Sequence, residues 1–467
     1  MHKSFFLILA SFVAFILNAT ADVKLPALFS DNMVLQRGQK VAVWGWADDG
    51  EKVTVRFRNQ TKTVVAQNGK WSVKLSSMKA GGPDVFTVTG KNSIKLANVM
   101  VGEVWLCSGQ SNMEFLLHTS SESGKDIASA KNNQIRFFVV PNVKADAPAT
   151  DVKAAWTSAD PKTAAEFSAV AYYFGRDLQA RLGVPIGLIE SDWGGTPAEA
   201  WMNRKIFELN PRYKKEILET VNGPWKPAEL YNGMIAPLIP YGIKGAIWYQ
   251  GESNAGRAEQ YRWLFADLIR SWRNEWQEGD FPFLLVQLAP FQAIQKEPGE
   301  SAWAELRDAQ LNATKVLPKV GMAVITDVGD EKNIHPTRKK PVGARLALAA
   351  RAIAYGESIE YAGPTYKSMK VKGDKAILSF DHVGGGLEAR DGKLQGFSIC
   401  GPDKKFVWAD AKIDGKKIIV TSPAVNTPVA VRYGWADYPV VNLWNNDGLP
   451  ASPFRTDTFP MITASQK

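Results

Sequence analysis

The spacing of hydrophobic and polar positions changes twice along this chain. From Asp22 to about Asn98 it has a period of two: Val41-Ala-Val-Trp-Gly-Trp46 and Val53-Thr-Val-Arg-Phe57 alternate between two faces, and Gly50, Asn68-Gly69 and Gly81-Gly82-Pro83 interrupt them. Short alternating strands between turn residues predict a small β-sandwich, with Trp44, Trp46 and Trp71 better suited to its core than to a ligand platform. From Val99 to about Gly356, continuous apolar runs alternate with helical stripes. The runs predict strands over 101–107, 135–140, 185–189, 245–249, 283–288 and 320–325. Between them, Tyr261, Leu264, Phe265, Leu268, Ile269 and Trp272 form one helical stripe. Leu178 and Leu182 end a second helix before Gly183, and a third opens on Pro341 and carries Val342, Leu346, Ala349, Ala350 and Ile353. Strands that are apolar throughout belong to a parallel sheet covered on both faces. After Glu357 the period of two returns, in Ala376-Ile-Leu-Ser-Phe380, Phe406-Val-Trp408 and Ile418-Ile-Val420, and predicts a second β-sandwich. The expected fold class is α/β: a parallel-sheet domain over 99–356 between β-sandwich modules at 22–98 and 357–467.

The first 21 residues do not fit this scheme. Lys3 precedes an apolar run from Phe5 to Leu17, and Ala19-Thr20-Ala21 has small residues at both cleavage-determining positions. That is the layout of a secretory signal peptide, too short to span a membrane. Cleavage after Ala21 and an exported, unanchored protein are expected. The rest of the 467 residues, with 45% hydrophobic content, can bury a sizeable core. The net charge of +9 is spread in pairs and threes, the longest run being Arg338-Lys339-Lys340, so no nucleic-acid surface is indicated. Cys107 and Cys400 lie far apart in sequence, and the strand around Cys107 argues for two free buried thiols. There is no CxxC or HExxH, and of four histidines one is in the leader, so no metal site is expected.

Candidate chemistry gathers where the predicted parallel strands end. Val104-Trp-Leu-Cys107 breaks at Ser108-Gly109, and Ser111-Asn112 follows just before the apolar residues Met113, Phe115 and Leu116. A serine after a glycine turn, opening a helix, is either a helix cap or a nucleophile beside unpaired backbone N–H groups. Three further segments stand after other strands: Asp192-Trp-Gly194-Gly195-Thr196, Gln250-Gly-Glu252-Ser-Asn254, and the stretch from Asp327 to His335. In an open parallel sheet, ligands bind beyond the carboxyl ends of the strands. A hydroxyl, a glycine loop, an amide and an imidazole at one rim are the parts that acyl transfer needs.

Gly109-Gln-Ser-Asn-Met113, Trp248-Tyr-Gln-Gly-Glu-Ser-Asn254 and Ile334-His-Pro336, with Arg432-Tyr-Gly-Trp-Ala-Asp-Tyr-Pro439 near the C-terminus, resemble the SGNH hydrolase superfamily and, within it, sialate O-acetylesterase-like carbohydrate esterases. The resemblance extends over nearly the whole mature chain. It implies a flavodoxin-like hydrolase domain and removal of acetyl esters from sugars without a cofactor. Ser111 would be the nucleophile and His335 its base and acid. The oxyanion hole would be the Ser111 N–H, a glycine N–H from Gly194 or Gly195, and the Asn254 side chain, with Gln110 and Glu252 in support. Where the superfamily has Asp three residues before the histidine, this chain has Lys332, so either Asp330 or a backbone carbonyl orients His335. The substrate is an acetylated glycan: a sialate, which favours a cation such as Arg307 or Arg432, or a plant polysaccharide such as xylan or xyloglucan, which favours aromatic faces such as Trp435 and Trp444. The competing reading is a glycan-binding protein without activity. Oligomeric state is left open.

Overall fold

The fold is that of a computed structural model, which describes residues 22–218 and 223–465. The expected leader lies outside the described residues. The central element is β1, Ser93–Gly109. It is followed by α1 (Ser111–Glu114), β2 (Asn132–Val139), β3 (Thr157–Ala159), α2 (Ala169–Leu182) and β4 (Ile186–Asp192). Then come β5 (Gly245–Tyr249), α3 (Ala258–Trp276), β6 (Phe283–Val286), α4 (Ala302–Val316), β7 (Val320–Ala323) and α5 (Lys340–Ile353). The sheet order is β7-β6-β5-β1-β4-β2-β3, and every pairing is parallel except that of the edge strand β3 with β2.

The uninterrupted apolar character of β1 follows from burial on both faces. Val104 and Leu106 join one core, with Trp248, Phe265, Trp272 and Phe283. Trp105 and Cys107 point the other way, into a core built on Tyr173, Phe174, Leu346 and Ala350. Helices α3 and α4 cover the first face, and α2 and α5 the second. The stripe read on α3 is buried along its length, and α2 ends where Gly183 adopts the left-handed conformation. Cys107 and Cys400 are free and buried.

At the N-terminal side, strand Val41–Trp46 pairs with Lys70–Leu75, and Lys52–Phe57 lies between Gln60–Val65 and Gly81–Thr89. The first half of β1 completes this part by pairing with Gly81–Thr89 and, in parallel, with Val34–Gln36. A single 17-residue strand therefore runs from the N-terminal β layer into the parallel sheet, and the change of composition near residue 98 falls inside it. At the C-terminal side, two four-stranded antiparallel sheets and a two-stranded ribbon enclose their own core of Leu378, Phe397, Ile418, Tyr433 and Phe454. Among the described residues, no helix is long and apolar enough to cross a membrane.

The end of β1 sits at the topological switch point, with β4 on one side and β5 on the other. Gly109 takes φ +147°, and its backbone packs under the Tyr249 carbonyl, where an added Cβ would lie 2.1 Å from the oxygen. That carbonyl accepts the Gln110 N–H at 3.0 Å, and the Gly109 carbonyl accepts the Trp193 N–H at 3.2 Å. Gly109→Ala is therefore expected to destabilise the protein by about 2 kcal/mol or more, because neither the backbone conformation nor the space suits a side chain. Chemical denaturation of the variant against the parent checks this; an unchanged midpoint would contradict the account of the turn.

Candidate active site

Ser111 is the first residue of α1, directly after the Gly109–Gln110 turn, and its hydroxyl is half-buried. His335 arrives from the loop after β7. Its Nε2 lies 2.8 Å from Ser111 Oγ, a direct hydrogen bond between residues 224 positions apart. The loop is held from below. Asn112 Nδ2 donates to the Ile334 carbonyl at 3.0 Å and to Glu252 Oε1 at 2.6 Å, while Lys339 Nζ donates to Asn112 Oδ1. Gln110 Oε1 accepts from the Gly251 and Ser253 N–H groups, which ties the end of β1 to the turn after β5.

Burial sets the electrostatics. Lys339 is fully buried, and loss of hydration pulls its ammonium down to about 7 despite the neighbouring Glu252. Burial also pushes the Glu252 carboxyl up. The His335 imidazole is held below its ordinary value by partial burial first and by Lys339 second, which favours the neutral ring that a general base requires. On the other side of Ser111, Gly194 packs against the serine, and its N–H donates to Glu114 Oε2 at 2.7 Å. Behind this contact lie Glu190 and Asp192, both buried. Burial raises both above the carboxylate range, with the nearby Glu114 adding to each and Glu190 adding to Asp192. Trp193 and Trp225 meet edge to face at 5.0 Å beside Gly194, with Lys144 Nζ 4.0 Å from the centre of the Trp225 ring.

A hydroxyl and an imidazole in hydrogen-bond contact therefore stand at the carboxyl ends of the parallel strands, and comparison with known proteins gives the family. Residues 101–352 match the family described as carbohydrate esterase, sialic acid-specific acetylesterase. Human sialate O-acetylesterase is 31% identical over 491 residues, spanning 94% of this chain and 93% of that protein; the mouse enzyme is 30% identical over 92% and 93%. The crystal structure of a carbohydrate acetylesterase from Xanthomonas citri superposes with a TM-score of 0.88 at 45% identity, covering 94% of this chain and all of that one. This chain belongs to the sialic acid-specific acetylesterase family of carbohydrate esterases. It is an esterase, and the reading as an inactive glycan-binding protein is set aside.

Within this acetylesterase, several residues singled out from the sequence take other positions than expected. Arg307 does not reach the rim. It is fully buried, and its guanidinium donates to the carbonyls of Leu288, Ala289, Ala436 and Asp437 at 2.7–3.0 Å, so it joins α4 to the C-terminal β module. Arg432 is likewise buried, paired with Asp457 and Glu300. Asp330 does not touch the imidazole. Its Oδ1 accepts the N–H groups of Lys332 and Asn333 and shapes the turn that leads to His335. Among the described residues, no acidic side chain hydrogen-bonds to the His335 ring. Asn254 is buried; its Oδ1 accepts from Ala198 N and Gln250 Nε2, and its Nδ2 donates to Glu199, leaving one amide hydrogen uncommitted. Trp444 is covered by Arg390, whose guanidinium lies 3.7 Å from the ring centre, and forms part of the module's own packing.

Sequence reading missed Asn112, Glu114, Lys339 and the Glu190–Asp192 pair as parts of the site. Asn112 and Glu114 lie within three residues of Ser111, which was an available signal. Lys339 sits in a basic run that reads as a solvated face, and only packing reveals its burial. Lys339→Met removes the one cation that depresses the His335 ring, so the imidazole should protonate at higher pH. The acid limb of kcat/KM for a small acetyl ester is expected to move upward; a limb that stays in place or moves down would show that Lys339 does not act on the histidine.

Proposed function

We propose that this carbohydrate acetylesterase works by an acyl-enzyme route on Ser111 and His335, and that it does so outside the cytoplasm. The observation that carries the mechanism is the 2.8 Å hydrogen bond between His335 Nε2 and Ser111 Oγ. His335 Nε2 takes the hydroxyl proton as Oγ attacks the acetyl carbonyl carbon. The tetrahedral intermediate places negative charge on the former carbonyl oxygen. Its donors are the Ser111 N–H, an N–H of the Gly194–Gly195 loop and the free amide hydrogen of Asn254, each worth about 3 kcal/mol of barrier in such a site. For Gly194 to serve, its N–H must leave Glu114; Gly195 carries no such bond among the described residues. Collapse expels the sugar alkoxide, which takes the proton from His335. Water then attacks acetyl-Ser111 while His335 takes its proton, and acetate leaves as the serine hydroxyl is restored.

That no carboxylate among the described residues hydrogen-bonds to the His335 ring favours a Ser–His dyad, with the Asn112 clamp on the Ile334 carbonyl and the Asp330 turn holding the imidazole in place. Ser111→Ala should lower acetate release from an activated ester by a factor of about 10³ or more while the thermal transition stays put. Retention of more than a few per cent of activity would overturn the assignment.

The glycan is selected away from this pair. A sialate carboxylate calls for an accessible cation, and the two candidates read from the sequence are both buried in structural contacts. The Trp193–Trp225 rim beside Gly194 offers aromatic faces to an uncharged acetylated sugar, and Lys144, partly exposed against those rings and 3.4 Å from Glu229, is the cation there that an acetylated sialate would use. Export rests on the leader pattern alone. N-terminal sequencing of the mature protein is expected to begin at Asp22, and a chain that retains residue 1 would refute it.

A further inference from the structure

A second concave surface lies between the segment 294–301, which precedes α4, and the C-terminal β module. It encloses about 560 Å³ and is lined by Trp408, Trp435, Tyr438, Glu297, Glu300 and Asp437 among others. Three of the exposed large apolar side chains of the protein converge here: Ile294, Trp408 and Val440, each 45–46% exposed. Apolar surface of this kind in an otherwise polar shell marks a contact site.

The aromatic rings are held in place. Trp408 Nε1 donates to the Lys296 carbonyl at 2.8 Å, across the gap between the two parts of the protein. Trp435 is backed by Arg432 and Arg455, with guanidinium carbons 4.9 and 5.4 Å from its ring centre; Arg455 pairs with the buried Asp457, and Arg432 with Asp457 and Glu300. Arg307 and the Phe291 N–H fasten the Asp437 carbonyl, and the Asp437 side chain accepts from Ser301. The surface is thus formed in advance of any ligand, which lowers the entropic cost of binding.

Its charge is selective. Glu297 and Asp437 line it, together with Glu300, which is paired to Arg432, and among the described residues no lysine or arginine lines it. Carboxylates accept hydrogen bonds from sugar hydroxyls and repel an anionic sugar, while tryptophan and tyrosine faces stack on the C–H faces of pyranose rings. The groove also adjoins the catalytic loop. Ile294 N–H donates to Glu331, Asp330 N–H donates to the Pro290 carbonyl, and Glu331 and Asp330 both raise the Tyr438 hydroxyl by proximity, after its burial. Those two acids belong to the loop that ends at His335.

We propose that this groove is a binding subsite for uncharged sugar units of the same glycan chain whose acetyl ester is presented to Ser111. The inference rests on the reading of Ser111 and His335 as the reacting pair. It makes the enzyme one that acts on acetylated neutral oligosaccharides and polysaccharides, with the C-terminal β module supplying most of the chain-binding surface.

The test uses the full-length mature enzyme, with p-nitrophenyl acetate and acetylated xylo-oligosaccharides of two to six units as substrates. The ratio of kcat/KM for the oligosaccharide to that for p-nitrophenyl acetate should rise with chain length in the parent. In Trp408→Ala that ratio should fall at least tenfold for the hexasaccharide, mainly through KM, and lose its dependence on length. Trp408→Phe, which keeps a stacking face, should stay near the parent and guards against a folding defect in the alanine variant. Calorimetric titration with unacetylated xylohexaose should show binding that survives Ser111→Ala and weakens at least tenfold in Trp408→Ala. A ratio independent of chain length in the parent, or hexasaccharide binding untouched by Trp408→Ala, would overturn the subsite. Activity surviving Ser111→Ala would instead overturn the reading of the reacting pair and leave the calorimetric result standing.

Discussion

The close approach of Gly109 to the Tyr249 carbonyl governs the geometry of everything above it. β1 runs between β4 and β5 in parallel register, so its C-terminal end is flanked on both sides by strands that also end there. With no side chain at Gly109, the backbone turns tightly under Tyr249 and delivers Ser111 as the first residue of α1. The same turn passes its carbonyl to Trp193, which fixes the start of the Gly194–Gly195 loop. One backbone packing constraint therefore positions the hydroxyl and the loop beside it, before any side-chain chemistry is considered.

A second layer of order comes from buried polar groups whose energetic cost requires them to pair. Asn112 is the hub. It satisfies Glu252, Lys339 and the Ile334 carbonyl together, and so ties segments that follow β1, β5 and β7 into one unit. This explains how a histidine on a loop stays within hydrogen-bond distance of Ser111. Burial that depresses Lys339 and raises Glu252 softens the charge of the pair, while the remaining positive character keeps His335 inclined to the neutral form. The acids on the opposite side, Glu190 and Asp192, are driven by burial toward their uncharged forms, which limits the negative charge beside Ser111.

The C-terminal β module is more than an appendage. Arg307 spends its guanidinium on carbonyls from both sides of the boundary, and Trp408 reaches back to Lys296. These contacts join the module to the segment between β6 and α4, and that junction forms the groove. A residue that looks from the sequence like a substrate cation turns out to be the fastener that makes a binding surface at a different place.

The period-two stretches, the apolar runs and the helical stripes sufficed to read the α/β class, because burial on one face or two imposes those spacings directly on the chain. The strand cores were legible while their ends were not: β1 extends to Ser93, and the edge strand β3 carried no apolar signal. Ser111 and His335 were legible because each closes a short motif after a strand. What the local pattern could not contain was the partner of each polar group. Whether Arg307 faces sugar or carbonyls, whether Asp330 bonds the imidazole or its own turn, and whether Lys339 is solvated or buried depend on which distant segments meet there. Hydrogen-bond geometry and desolvation arise only from that meeting. The sequence by itself determined the layers and the segments that gather beyond the strand ends; the tertiary structure decided which charged groups hold the fold together and which surface stays open.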